Sequence, residues 1–380
     1  MFKSKVVLYT GSRADYFLIQ RLIKNLRLKT KAVLFAGPHH FSSEFGNSFK
    51  LIEKSKDLVI EKIEIKSNYL NLDLSKFTAD TLIKYQKKLI KHKPSIAIVL
   101  GDRYELLGFA LACNFLKIRL CHIHGGEITV GSFDDTTRHV VSKLSNYHFV
   151  SNNTHKKRLI SMGEDPSTIY NFGSLGAEKA KVDAIFNKRN LIKKLNIKNE
   201  KRIILATFHP ETNSAMEYEK QIDIFLKALI IYGKSVNIIF TASNSDPGGI
   251  FFNKKIKQFC NEKGKFRYFF KNLGSKIFSS LLKHSDLIIG NSSSGIIEAP
   301  TNNKYVLNIG KRQLGREKNL NVIDCKLEIK EIRKKIEKFL NKKKIRVKNI
   351  YYKKNCSLNI SKKIIELSKL KTNSLKYFNE

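Results

Sequence analysis

The sequence predicts an α/β protein made of two Rossmann-like, doubly wound domains facing a cleft. Three observations carry that prediction. Apolar runs of strand length alternate with segments whose apolar residues recur at helical spacing. The alternation lapses after residue 171 and restarts near residue 202, which divides the chain into two similar halves. Ionisable and small residues then gather immediately after the strand ends, where parallel α/β sheets hold their ligands.

In the first half, residues 5–10 read as a buried strand that enters the turn GSRADY and a helix with Leu18, Leu22 and Leu26 on one face. Further strands are expected at 32–36, 59–65, 95–100, 119–123 and 147–150, with helices at 78–92, 104–115, 134–145 and 154–162. After NFGSLGAE at 171–178, a Lys- and Asn-rich stretch to about residue 201 reads as a helix leading into the second half. There the expected strands are 202–207, 236–242, 266–270, 286–289 and 305–309, and the helices 217–230, 250–262 and 276–284. Ile329, Ile332, Ile336 and Leu340 share one later helical face, and Ile360, Ile364 and Leu367 another. The domains so defined are 1–175, 176–345 and a helical tail at 346–380 that can pack back on the first domain.

Composition narrows the class. The chain of 380 residues, 42% hydrophobic, can fill two cores. No apolar run approaches a membrane span, and the apolar segment at 6–9 is too short for a signal peptide, so a cytoplasmic protein that does not engage a membrane is expected. Five scattered cysteines without a CxxC suit reduced thiols, not disulfides or zinc, and no metal site is expected. The net charge of +38 comes from lysines spread along the whole chain with no arginine-rich motif, which argues against nucleic-acid recognition. A positive field still favours the arrival of an anionic substrate.

The densest chemistry lies in LCHIHGGEITVGSFDDTTR at 120–138. A strand closes with His122 and His124; two glycines, Glu127, Asp134, Asp135 and Arg138 follow. Asp134 at a helix start is equally suited to capping, and Arg138 one turn on to pairing with it. The segment IIGNSSSGIIEAP at 288–300 offers a strand, small residues and a helix start whose N–H groups, with Ser292, Ser293, Ser294 and Gly295, can hold a diphosphate; Glu298 can accept the hydroxyls of a ribose. Arg13, Arg312 and Arg316 are the candidate guanidinium partners of phosphate. Arg13, His39, Asp102, His124, Asp134, His209 and Ser294 all fall just beyond strand ends, a recurrence that points to one site.

GSRADY, LGDRYE, HIHGGEITVGSFDDTTRH, FGSLGAE, FHPET, IGNSSSGIIEAP and RQLGR, in this order and spacing, resemble the hydrolysing UDP-N-acetylglucosamine 2-epimerases of sialic acid biosynthesis. The resemblance spans about residues 5–324 and implies a glycosyltransferase B type architecture with UDP bound mainly by the second domain. It implies release of UDP and free N-acetylmannosamine from a UDP-sugar substrate, without cofactor, by a homo-oligomer. Carried over by position, Arg13, Ser292, Ser293, Ser294, Gly295 and Arg312 would hold the diphosphate and Glu298 the ribose; His39 and Arg138 are expected beside the substrate. Uracil would meet the loop at 273–278. Asp102, His124, Asp134 and His209 are the acid and base candidates, without assignment of which abstracts and which returns a proton. At His124 the related non-hydrolysing enzymes carry glutamate. A close alternative is the same reaction on UDP-2,4-diacetamido-2,4,6-trideoxyglucose of the legionaminic acid route; a more distant one is a UDP-sugar glycosyltransferase.

Overall fold

The structure is a computed structural model that describes residues 5–43, 47–65, 73–132, 134–243, 247–261, 266–342, 345–370 and 376–379. The chain divides into two compact units: Met1–Glu127 with Asp134–Leu175 and Lys353–Glu380, and Ile128–Phe133 with Gly176–Tyr352. Each is α/β.

The first unit is built on a parallel sheet of seven strands: β1 Lys5–Thr10, β2 Lys31–Ala36, β3 Leu58–Lys62, β4 Ile96–Leu100, β5 Arg119–Ile123, β6 Tyr147–Val150 and β7 Ile169–Asn171, in the order β3-β2-β1-β4-β5-β6-β7. Helices α1 Arg13–Arg27, α2 Leu74–His92, α3 Glu105–Phe115, α4 Asp134–Leu144 and α5 Asn153–Ser161 connect them. Parallel strands covered on both faces must be apolar at every position, and KVVLYT and IAIVL are nearly so. Alternation along β1 sends Val6 and Leu8 into a core shared with Leu22 and Leu26 of α1, and Val7 and Tyr9 into a core shared with Tyr85 and Phe109 on the other face.

The second unit repeats the plan. Its six parallel strands are β8 Ile203–Thr207, β9 Asn237–Thr241, β10 Arg267–Phe270, β11 Leu287–Gly290, β12 Val306–Ile309 and β13 Val322–Cys325, ordered β10-β9-β8-β11-β12-β13. The helices after α5 are α6 Leu175–Val182, α7 Lys188–Lys194, α8 Tyr218–Leu229, α9 Gly249–Cys260, α10 Gly274–His284, α11 Ser293–Ile297 and α12 Ile329–Leu340; a last one, α13 Cys356–Lys369, belongs to the first unit. Ile204 and Ala206 face the side of α8, α9 and α12, while Ile203 and Leu205 face that of α7 and α10.

Several boundaries differ from the sequence expectation, for physical reasons. Helix α2 begins a turn earlier than residue 78 because Asp73 caps it, accepting from the Lys76 N–H at 3.0 Å. Strands β7 and β13 were not anticipated: both lie at sheet edges, and only Ile169 in β7 and Val322 and Cys325 in β13 are buried, so neither makes an apolar run. The expected end of one helix, Glu262, lies outside the described residues. The stretch at 128–132 belongs to the second unit, where the Val130 N–H donates to Leu314 O at 3.1 Å, and residues 346–352 do too. Helix α13 packs on α1: Ile360, Ile364 and Leu367 join the core of Leu22 and Leu26, and Arg119 donates to Leu367 O at 2.9 Å. Among the described residues no helix is long and apolar enough to cross a membrane.

Candidate active site

Both sheets have a topological switch point, where the chain leaves a central strand in one direction and returns to its other side, so that two consecutive crossovers diverge and open a crevice at the carboxyl ends. In the first unit the switch lies between β1 and β4, in the second between β8 and β11. The loops that follow those four strands begin at Gly11, Gly101, Phe208 and Asn291; they carry Asp102, His209 and Ser292 and lead into Arg13 at the start of α1 and Ser293 and Ser294 at the start of α11. Topology thus places these residues, where sequence spacing could only suggest it.

In the first unit Arg138 is the hub. Only 1% exposed, its guanidinium meets the Asp102 carboxylate, the Asp135 carboxylate at 2.9 Å and the Glu127 carbonyl oxygen at 3.0 Å. These partners outweigh burial and hold the guanidinium charged. Arg138 thus ties the first half of α4 to the loops after β4 and β5. Asp102 keeps 27% of its side chain exposed and Asp134 is buried at the start of α4. His124 stands directly after β5 in a left-handed conformation (φ 69°), with Nδ1 3.1 Å from the Glu127 carboxylate. The neighbouring His122 is a packing residue: Nε2 lies 2.7 Å from Gly101 O, Nδ1 3.0 Å from Ser142 Oγ, and burial lowers its pKa to about 3. Gly125 is obligatory beside it, since a Cβ there would lie 2.9 Å from both His122 Nδ1 and Ser142 Oγ.

Around the turn after β1, Ser12 starts α1 and donates N–H and Oγ to Asp15 at 2.9 and 3.0 Å. Burial lifts the Asp15 carboxyl to about 6 and lowers the Arg13 guanidinium to about 10. His39 is 1% exposed, with Nε2 2.9 Å from Tyr104 OH and Nδ1 3.4 Å from Glu105. Burial alone would raise Glu105, but Arg103 and His39 hold it well below the usual carboxylate range.

In the second unit Asn291 joins the two loops at the switch. Its Oδ1 accepts from the His209 N–H at 2.7 Å, and its Nδ2 donates to His209 O at 2.8 Å. His209 Nδ1 lies 3.1 Å from Ser243 Oγ. Gly290 at φ 126° precedes, where a Cβ would come within 1.9 Å of Thr207 O. Ser292 caps α11, Ser293 and Ser294 are half-buried within its first turn, and Gly295 is buried. Arg312 lies beside this turn, with Nη1 3.5 Å from Asn291 O, while its N–H and that of Lys311 bind Glu211 at 3.3 and 2.7 Å. Glu298 is 7% exposed and sits 3.7 Å from Lys179 Nζ. Ser275 in the expected base loop binds Asp183.

Sequence reasoning missed Glu127 as a partner of His124 and Asn291 as the link between loops. Both stood inside recognised motifs; what was invisible was the turn that brings each to its partner.

An α/β fold with a turn of small residues at one switch point and a carboxylate, imidazole and guanidinium cluster at the other is the architecture in which a nucleotide-sugar enzyme is sought. The chain belongs to the UDP-N-acetylglucosamine 2-epimerase family, whose profile matches residues 24–365. It is 35% identical to a GDP/UDP-N,N'-diacetylbacillosamine 2-epimerase (hydrolyzing) of Campylobacter jejuni, over 90% of this chain and 89% of that one. It is also 35% identical to polysialic acid biosynthesis protein P7 of Escherichia coli, over 98% and 97%. In fold it is similar to the UDP-GlcNAc 2-epimerase of Methanocaldococcus jannaschii solved with UDP-GlcNAc and UDP, with a TM-score of 0.76 at 19% identity over 95% of this chain and 99% of that one.

Proposed function

We propose that the protein is a hydrolysing 2-epimerase that converts UDP-N-acetylglucosamine to N-acetylmannosamine and UDP. The observation that carries the reading is the cluster at the ends of β4 and β5. There Asp102 and His124 offer proton-transfer groups of different chemistry within one frame, since Arg138 binds Asp102 and the Glu127 carbonyl while the Glu127 carboxylate faces His124; Asp134 is buried at the start of α4. In this reading Ser292, Ser293, Ser294, Gly295 and Arg312 are assigned to the diphosphate, Glu298 to the ribose, Arg13 as a further cation and His209 as a further acid or base.

In this mechanism a base takes the C2 proton. The C2–H electron pair becomes the C1–C2 double bond, and the C1–O bond breaks with its pair on UDP. Water then adds through oxygen to C1 of the glycal while a proton returns to C2 on the opposite face. The C2–H bond is weakly acidic, so the departing diphosphate must be stabilised, the role of the guanidinium groups and the serine turn. The two proton steps need groups on different faces of the ring.

A second reading keeps the reaction and changes the sugar to the 2,4-diacetamido-2,4,6-trideoxy form. It is favoured by two relatives, from Campylobacter jejuni and, at 32% identity, Legionella pneumophila, that are named for diacetylbacillosamine. Incubation with each UDP-sugar in deuterated water, followed by NMR, separates the readings: UDP plus a free mannosamine-type sugar deuterated at C2 is expected from the true substrate. Intact sugars in both tubes would refute hydrolytic epimerisation. His209→Asn and Asp102→Asn are expected to keep UDP binding and to lose at least ~100-fold in kcat, the scale of a missing acid or base; full turnover in both would remove them from the mechanism.

A further inference from the structure

Glu127 lies 2% exposed at the end of the loop after β5, and its surroundings are directional. Asn152 caps α5 by accepting the His155 N–H on Oδ1 at 3.0 Å, so its amide NH2 is turned to His155 Nε2, 3.3 Å away. An amide nitrogen only donates, so His155 Nε2 is an acceptor and the ring proton sits on Nδ1. That proton faces Ser151 Oγ at 2.9 Å, and the Ser151 hydroxyl donates onward to Glu127 Oε1 at 3.1 Å. The same carboxylate oxygen faces His124 Nδ1 at 3.1 Å. Every donor in this series points towards Glu127.

We infer that Glu127 is a positioning residue for the epimerisation: it holds His124 as the Nδ1–H tautomer and so leaves the Nε2 lone pair as the proton acceptor. The inference rests on the proposed reaction and names which nitrogen of His124 serves it. The imidazole–carboxylate pair does for His124 what a buried carboxylate does in hydrolase triads, orienting the ring and stabilising the imidazolium that forms after proton transfer. His124 Nε2 has Ser174 Oγ at 3.4 Å, a distance too loose to occupy the lone pair firmly. The left-handed backbone at His124 is held from both sides, by its N–H on Phe149 O at 3.0 Å and by the Glu127 pair; strained non-glycine residues persist where such contacts over-determine them. The other charged or titratable groups around the pair are Arg138 on Glu127 O, Arg158 on Gly126 O, the His155 imidazole, and His122, which burial keeps neutral.

The test uses the full chain labelled with 15N-histidine, with the His124 ring assigned by its loss in His124→Gln. The expected result is a protonated Nδ1 and an unprotonated Nε2 at neutral pH. In Glu127→Gln the ring's 15N pattern should move towards a mixture of the two tautomers, since a carboxamide can donate to Nδ1 as well as accept from it, and kcat should drop tenfold or more with KM little changed. Ser151→Ala, which leaves the carboxylate on His124, should change both by less. An Nε2–H tautomer in the parent protein, or an unmoved tautomer pattern and kcat in Glu127→Gln, would overturn the inference; if Glu127→Gln does not fold, the parent tautomer decides. The ring measurements need no turnover, so a protein that transforms no UDP-sugar would defeat the proposed function while the pairing is still decided.

Discussion

Arg138 concentrates the logic of the first unit in one side chain. A guanidinium with five donors can serve Asp102, Asp135 and the Glu127 carbonyl together, which a point-charge lysine cannot. Sequence shows that an arginine follows two aspartates, but not that its side chain turns inward to 1% exposure. Breaking a buried ion pair from one side leaves the remaining charges without compensation; the two carboxylates here are 27% and 22% exposed and partly rescued by water. Arg138→Gln should therefore cost about 2 kcal/mol in chemical denaturation, discounted from the fully buried case, and lower kcat by freeing Asp102. Stability and kcat both at the parent level would show that the guanidinium is dispensable.

At the scale of elements, the central strands were legible because each is buried on both faces and therefore continuously apolar, whereas β7 and β13 were not, since only Ile169 in one and Val322 and Cys325 in the other are buried and neither makes an apolar run. The functional loops were legible as motifs after strand ends; that β1 with β4 and β8 with β11 are the pairs flanking each switch depends on sheet order, which no local pattern encodes. The C-terminal segment was legible as an apolar helical face in a tail that can pack back on the first domain. After α13 it continues to Lys376, which donates to the Glu164 carboxylate at 2.6 Å and to Ser145 O at 2.8 Å, closing the end of α4. Burial opposes ionisation of Glu164, yet hydrogen bonds from His148 and Lys376 hold its pKa at about 2, below the ordinary 4.5. A carboxyl with a depressed folded pKa stabilises the fold above its unfolded value, and that stability is lost as pH falls from 4.5 towards 2. Glu164→Gln should lose ~1 to 2 kcal/mol at neutral pH after allowance for solvent screening, and its stability should vary less across that acid window. Equal slopes of stability against pH in the two proteins would exclude Glu164 as an acid-sensitive tie.

Over the whole molecule the outstanding quantity is the net charge of +38, drawn from 71 Lys and Arg against 33 Asp and Glu. Part of the acid is committed inside the fold: Glu61, Glu105, Glu127 and Glu164 are buried against histidines, lysines or arginines. A field of this sign reaches an approaching nucleotide sugar well before any contact and raises its encounter rate, but it does not act on the bond-breaking step within the site. The two effects separate with salt. Raising ionic strength from about 20 to about 300 mM shortens the Debye length to less than the span of the surface charges, so kcat/KM for a doubly anionic UDP-sugar should fall several-fold while kcat stays level. A neutral-salt series at fixed pH checks this. If kcat/KM proved flat, the lysines would have no part in substrate capture; if kcat fell in parallel, salt would be displacing the diphosphate from Arg13, Arg312 and the serine turn, and the charge that matters would be that of the site alone.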